Sequence, residues 1–199
     1  MTIKPKKGEY LDILLRSPQS IFSVKDVALL WQENQEDKVF LRLAQYARQG
    51  KLIRLRRGIY AKDKNYQPLE LATRIYTPAY ISFETVLTRS GVNFQKYDSI
   101  FVASYVNREI TVDGQKIIFV RLKDYVLSNT MGISHSQGIA MASKERAFLD
   151  RIYVSRDYHF DNLNDLNWEQ VWEILPIYNN QTMIQRVKKY FKHYKDSNL

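Results

Sequence analysis

Residues 48–62, RQGKLIRLRRGIYAK, hold six basic side chains (Arg48, Lys51, Arg54, Arg56, Arg57 and Lys62) and no acid. Guanidinium and ammonium groups at this density suit phosphate, arginine as a planar fork and lysine as a point charge. The apolar residues Leu52, Ile53, Leu55 and Ile59 are interleaved with the cations, and Gly58 stands where a tight turn needs positive φ. The stretch predicts a short β-hairpin with Arg57 at its tip. Its plainest alternative is a solvated surface hairpin, the usual fate of a charge run.

The element just upstream gives the hairpin a context. Val39, Phe40, Leu43, Ala44 and Ala47 recur at spacings of three and four, predicting an amphipathic helix over about 36–49. Asn34 is its expected cap, Glu36 and Asp37 suit its positive end, and Gly50 suits its C-terminal stop. Lys38, Arg42, Gln45 and Gln49 fall at i, i+4, i+7 and i+11, so they project on another face. Arginine pairs with guanine and glutamine with adenine, which makes that face chemically able to read base edges. A base-reading helix followed by a cationic hairpin along the phosphates is how a winged helix-turn-helix meets duplex DNA. The expected contact set is Lys38, Arg42, Gln45, Arg48, Gln49, Lys51, Arg54, Arg56 and Arg57.

Charge is distributed accordingly. Residues 1–66 hold 14 Lys/Arg against 7 Asp/Glu, and the other 133 residues hold 16 against 14. A basic module joined to a nearly neutral one is therefore expected. The first, 1–66, would contain a helix over 7–16, a strand at Ile21-Phe22, and a second helix opened by the capping box Ser23-Val24-Lys25-Asp26. Its core would comprise Leu11, Leu14, Phe22, Val27, Leu30, Phe40, Leu43 and Leu55. The polar, proline-containing stretch 62–68 reads as a linker.

Residues 67–199 read as a mixed α/β domain. Helices are expected at 69–75, 83–89, 143–153, 168–175 and 182–194, with Ser82 and Ser143 as caps. Strands are expected at 99–105, 109–112, 116–122 and 138–142, and Asp113-Gly114 predicts a hairpin turn. The last helix sets Arg186, Lys188, Lys189, Lys192 and Lys195 against an apolar side of Ile184, Val187, Phe191 and Tyr194. The fold class is α+β, or α/β.

Catalytic chemistry finds no constellation in the sequence. His135, His159 and His193 stand at no metal-ligand spacing, and Gly132 and Gly138 do not build a phosphate loop. Glu145 and Asp150, flanked by basic residues, read as ordinary ion pairs. The absence of cysteine excludes disulfides and thiolate metal sites. No apolar run is long enough to cross a bilayer, and the lysine-rich start (Lys4, Lys6, Lys7) lacks a secretory core. A cytoplasmic protein without enzyme activity, cofactor, metal or membrane is expected.

Three stretches, in order, resemble the AbiEi family of antitoxins and repressors of type IV toxin–antitoxin, or abortive-infection, systems. Phe22 to Ala61 is similar to its winged helix with the "R-x-x-R-G-x-Y" ending, and Tyr80 to Val92 is similar to the helix opening its second domain. Ala142 to Tyr153, ASKERAFLDRIY, looks like its recurring "A-S-x-E-R-A" helix. The region after Val154 matches no family motif. The resemblance implies a repressor that binds double-stranded promoter DNA at inverted repeats, as a homodimer would, and autoregulates an operon shared with a nucleotidyltransferase-like toxin. A second reading makes toxin neutralisation by the second domain primary and DNA binding accessory.

Overall fold

The computed structural model describes residues 8–197, so Lys4, Lys6 and Lys7 lie outside the described residues. The chain divides into two compact units, one extending through Ile75 and including Val112–Gly114, the other spanning Tyr76–Thr111 and Gln115 onward. Helices and sheets are mixed in both, as α+β requires. Among the described residues no helix is long and apolar enough to cross a membrane.

The first unit runs α1 (Glu9–Arg16), β1 (Ile21–Ser23), α2 (Val24–Leu30), α3 (Glu36–Arg48), β2 (Ile53–Arg56), β3 (Ile59–Ala61) and α4 (Pro68–Ile75). Ser17-Pro18 stops α1, because proline removes a donor and disfavours helix in the residue before it. Ser23 opens α2 through the capping box: its hydroxyl accepts from the Asp26 amide at 3.1 Å, and its own amide donates to the Asp26 carboxylate at 2.9 Å. The three strands form an antiparallel sheet in the order β1-β3-β2, with Phe22 opposite Tyr60 and Arg54 opposite Tyr60. Leu14, Phe22, Val27, Trp31, Val39, Leu43, Leu52 and Tyr60 make the core.

That core differs from the expected one. Trp31, just past the end of α2, turns inward and donates its indole N–H to the Tyr10 carbonyl at 3.0 Å. Leu30 is left 40% exposed as a result of the chain leaving the helix there. Phe40, Leu11 and Leu55 are only half-buried. Asn34 does not cap α3; the N-cap is Gln35, which makes no side-chain cap bond.

The boundary also falls later than the polar stretch suggests. α4 belongs with the first unit. The buried Glu70 carboxylate accepts from the Ser20 amide at 2.9 Å and the Ser20 hydroxyl at 2.6 Å. One turn on, Arg74 pairs with Asp26 at 2.9 Å. These two contacts hold α4 against β1 and the start of α2.

The second unit runs β4 (Tyr80–Ile81), α5 (Phe83–Arg89), β5 (Ile100–Ser104), β6 (Arg108–Val112), β7 (Gln115–Arg121), α6 (Asp124–Leu127), β8 (Ile133–Ser136), β9 (Ile139–Ala142), α7 (Lys144–Val154), α8 (Trp168–Ile174), a 3-10 turn (Leu175–Tyr178) and α9 (Gln181–Ser197). Its sheet has the order β6-β7-β5-β4-β9-β8. Pairing is parallel for β5/β7 and β4/β9 and antiparallel for β4/β5 and β8/β9. Asp113 and Gly114 turn between β6 and β7 with φ of 50° and 78°. Ser143 caps α7 by accepting from the Arg146 amide at 3.1 Å, as the sequence predicts.

Asp150 is not part of a surface ion pair. It and Arg146 are both fully buried, one turn apart on α7, with Nε to Oδ1 at 3.2 Å. The carboxylate also accepts from the Tyr178 hydroxyl at 2.6 Å, the Ser82 hydroxyl at 2.7 Å and the Tyr80 hydroxyl at 3.0 Å. Ser82 turns its side chain toward Asp150 and makes no cap bond for α5, contrary to expectation. Arg146 uses its other N–H groups on the Val126, Met131 and Asn129 carbonyls and the Tyr80 hydroxyl. A buried charge pair survives only when its remaining donors and acceptors are satisfied, and this one ties α7 to β4, α6 and the 3-10 turn.

Burial raises the Asp150 carboxyl above its usual range, opposed by Arg146 and the three hydroxyl donors. Burial and the neighbouring Asp150 charge hold Tyr80 and Tyr178 well above the ordinary tyrosine value. Removing one partner should strand the other charge in the interior. Asp150→Ala is expected to cost about 3–5 kcal/mol, measured by denaturant unfolding, whereas the half-buried Lys144→Ala should cost little.

The tyrosines give a second test. Above about pH 10 the unfolded chain releases phenolic protons that the folded chain keeps. Stability should therefore fall as pH rises past that point, by about 1.4 kcal/mol per pH unit for each of Tyr80 and Tyr178. Tyr178→Phe should flatten the dependence.

Candidate nucleic-acid interface

The interface begins with how α3 ends. The Lys51 amide donates to the Tyr46 carbonyl at 2.9 Å and the Gly50 amide to the Ala47 carbonyl at 3.0 Å. This is the paired closure of a helix by a left-handed residue, and Gly50 supplies it at φ 69°. The chain reverses there and enters β2. Arg57 and Gly58 then make the turn into β3, with Gly58 at φ 80°.

The turn is anchored to a helix start. The Gly58 carbonyl accepts from the Val24 amide at 3.1 Å, so one of the amides at the N-terminus of α2 is satisfied by the hairpin. β1 and β2 both pair with β3, whose three residues are all buried. A bulge between Arg54 and Arg56 shifts the register next to the turn.

At 100° per residue, Lys38, Leu41, Gln45 and Arg48 fall on the side of α3 opposite the buried Val39 and Leu43. All four are exposed, Leu41 at 62%. Gln49 lies at the edge of that face and is also exposed. Lys51, Arg54 and Arg57 are exposed on the segment that follows, and Arg56 is half-buried. Among the described residues Lys38, Arg48, Arg54 and Arg57 form no ion pair.

Arg42 departs from the expected arrangement. Its guanidinium lies over the Tyr10 ring at 3.7 Å from the centroid, and 5.8 Å from the Trp31 ring. It borders a recess of about 460 Å³ shared with Tyr10, Gln45 and Tyr46. Burial raises the Tyr46 phenol, and the Arg42 charge opposes that rise. Arg42 is therefore half-buried and packs α3 against α1, instead of projecting with Lys38 and Gln45. Gln49 and Lys51 flank the same helix end, Lys51 at 5.9 Å from the Tyr46 ring.

Leu41 is the residue that sequence reasoning missed. It lies three residues after Lys38 and four before Gln45, and helical spacing alone puts it on their face. An apolar side chain there suits the thymine methyl group in a major groove. Elsewhere, His135 and His193 are exposed and His159 lies 3.6 Å from Asp161. Among the described residues no three His, Asp or Glu side chains come together in a way that could hold a metal ion. Lys116, near the Asp113 turn, pairs with Glu109 at 2.7 Å.

No protein-family model matches the chain, and no curated protein matches it significantly.

The stacking of Arg42 separates its role from that of its neighbours. Arg42→Ala should lower the stability of the first unit by about 0.5–2 kcal/mol. Lys38→Ala and Gln45→Ala should change it by less than about 0.5 kcal/mol. Equal stability for all three in thermal unfolding would mean that the stack on Tyr10 contributes nothing.

Proposed function

We propose that the first unit is a winged helix-turn-helix and that this chain is a DNA-binding transcriptional regulator. The observation that carries the reading is the continuity of unpaired cations from α3 through the β2–β3 hairpin. Lys38, Arg48, Arg54 and Arg57 are exposed and lack counter-charges among the described residues. Unneutralised cations next to a helix of groove-fitting size gain from displacing counterions condensed on a duplex.

Roles divide along the chain. Lys38, Leu41, Gln45 and Arg48 face the groove, and Arg54 and Arg57 of the hairpin hold phosphate. Arg42 positions α3 through Tyr10. The resemblance of Phe22 to Ala61, Tyr80 to Val92 and Ala142 to Tyr153 to AbiEi antitoxins supports a repressor that controls its own operon. On that reading the second unit takes a protein partner, a nucleotidyltransferase-like toxin.

Binding to a duplex should weaken with salt, with log K falling against log salt at a slope of about −4 to −5 for four to six phosphate contacts. Gln45→Ala should lose about 1–3 kcal/mol of discrimination between the DNA upstream of its own gene and random DNA. Arg57→Ala should weaken both about equally. A flat salt response in fluorescence anisotropy would overturn DNA as the partner.

A further inference from the structure

The second unit contains a cleft that the DNA-binding reading does not use. It has a volume of about 650 Å³ and lies between the chain that leaves α7 and one side of α9. Arg156, Asp157, Thr182, Arg186, Lys189 and His193 line it, with the Tyr190 ring. Thr182, Arg186, Lys189 and His193 are spaced four, three and four apart, so α9 presents them along one stripe. Three permanent cations face one carboxylate.

Arg186 is held before any ligand arrives. Its Nη1 donates to the Ile152 and Ser155 carbonyls, each at 2.7 Å. Those carbonyls belong to the last turn of α7 and the residue after it, where the helix leaves acceptors unsatisfied. The anchoring uses one nitrogen only. Nε is buried and has no partner, and no hydrogen bond is made through Nη2 among the described residues. Nη2 is therefore the nitrogen left to meet an oxyanion, since Nε is out of a ligand's reach, and a guanidinium already fixed at Nη1 has little rotamer entropy left to lose.

Arg156 and Lys189 are exposed and make no ion pair among the described residues. Asp157, Arg186 and the Tyr190 ring line the cleft together, and burial raises the Tyr190 phenol above its usual value. The Tyr190 hydroxyl is committed to the Tyr158 carbonyl at 2.6 Å, which leaves its ring as a wall of the cleft. The volume falls in the range of small-molecule sites, about 300–1,000 Å³. That is far more room than a single phosphate group needs.

We propose that this cleft binds a small phosphate ester of nucleotide size. Arg186 and Lys189 take the phosphate oxygens, Arg156 closes over them, and the space beyond receives the organic part. The proposal concerns the second unit alone and does not rest on DNA recognition by the first.

The test is isothermal titration of the full chain with orthophosphate, pyrophosphate and ATP in turn. Saturable binding of ATP that is tighter than that of either inorganic anion is expected. Arg156→Ala and Lys189→Ala should each weaken it by about tenfold. Lys188→Ala, exposed on another side of α9, should leave it unchanged. Absence of saturable ATP binding overturns the proposal. So does an equal loss with Lys188→Ala, which would indicate diffuse charge. Inorganic anions binding as tightly as ATP would overturn the ester and leave a simple anion site. Competition by duplex DNA with the same residue dependence would overturn it in favour of a nucleic-acid surface on α9.

Discussion

β3 is three residues long, and both other strands of the first sheet are hydrogen-bonded to it. Ile59, Tyr60 and Ala61 are buried on every side, so the strand has no freedom to shift without opening the core. Pairing with β1 fixes the start of α2, because Ser23 is both the last residue of β1 and the cap of the helix. Pairing with β2 fixes Arg54 opposite Tyr60. The bond from Val24 to the Gly58 carbonyl closes the same loop from the other end. A strand this short thus sets the spacing between helix cations and hairpin cations, and a one-residue slip would send Arg54 to the opposite face of the sheet.

The second unit depends on a different constraint, a charge pair placed where water cannot reach it. Arg146 and Asp150 stabilise little by attraction alone, since desolvation offsets much of the Coulomb gain. Their effect is to dictate geometry. Three hydroxyl groups from two distant places in the chain, Tyr80 and Ser82 at one and Tyr178 at the other, must converge on Asp150, and carbonyls from the segment 126–131 must converge on Arg146. Gly132 shows how tight the result is: a Cβ there would lie 2.9 Å from Ile174 Cδ1 and 3.0 Å from Arg146 Cβ.

Much of this organisation is legible in the residues. Hydrophobic spacing marks α3, α7, α8 and α9, and glycine after a basic run marks the hairpin turn. The helix caps read correctly at Ser23, as a capping box, and at Ser143, as a simple side-chain cap. Ser82 makes no cap bond because its side chain is turned toward a buried carboxylate 68 residues away, to which its hydroxyl donates. The strands β4 and β8 and the helix α6 are too short for periodicity to reveal. Arg42 illustrates the limit of helical-wheel reasoning. Its angle places it near Lys38 and Gln45, yet Tyr10, more than thirty residues earlier, supplies a ring that draws it aside. Spacing reads Glu145 and Asp150 as ordinary ion pairs because it cannot report burial: Asp150 pairs in the interior, and Glu145, also buried, accepts from the Asn167 amide at 3.1 Å.

The central claim is that duplex DNA meets α3 and the hairpin together. The most direct test is to titrate the isotopically labelled full chain with a duplex at low salt and follow backbone amide and arginine Nε signals by NMR. The account predicts that the largest shifts fall on Lys38, Leu41, Gln45, Arg48, Arg54 and Arg57, while the Arg42 Nε signal, held over Tyr10, moves little. Shifts confined to residues from Tyr76 onward, or none at all, would contradict it.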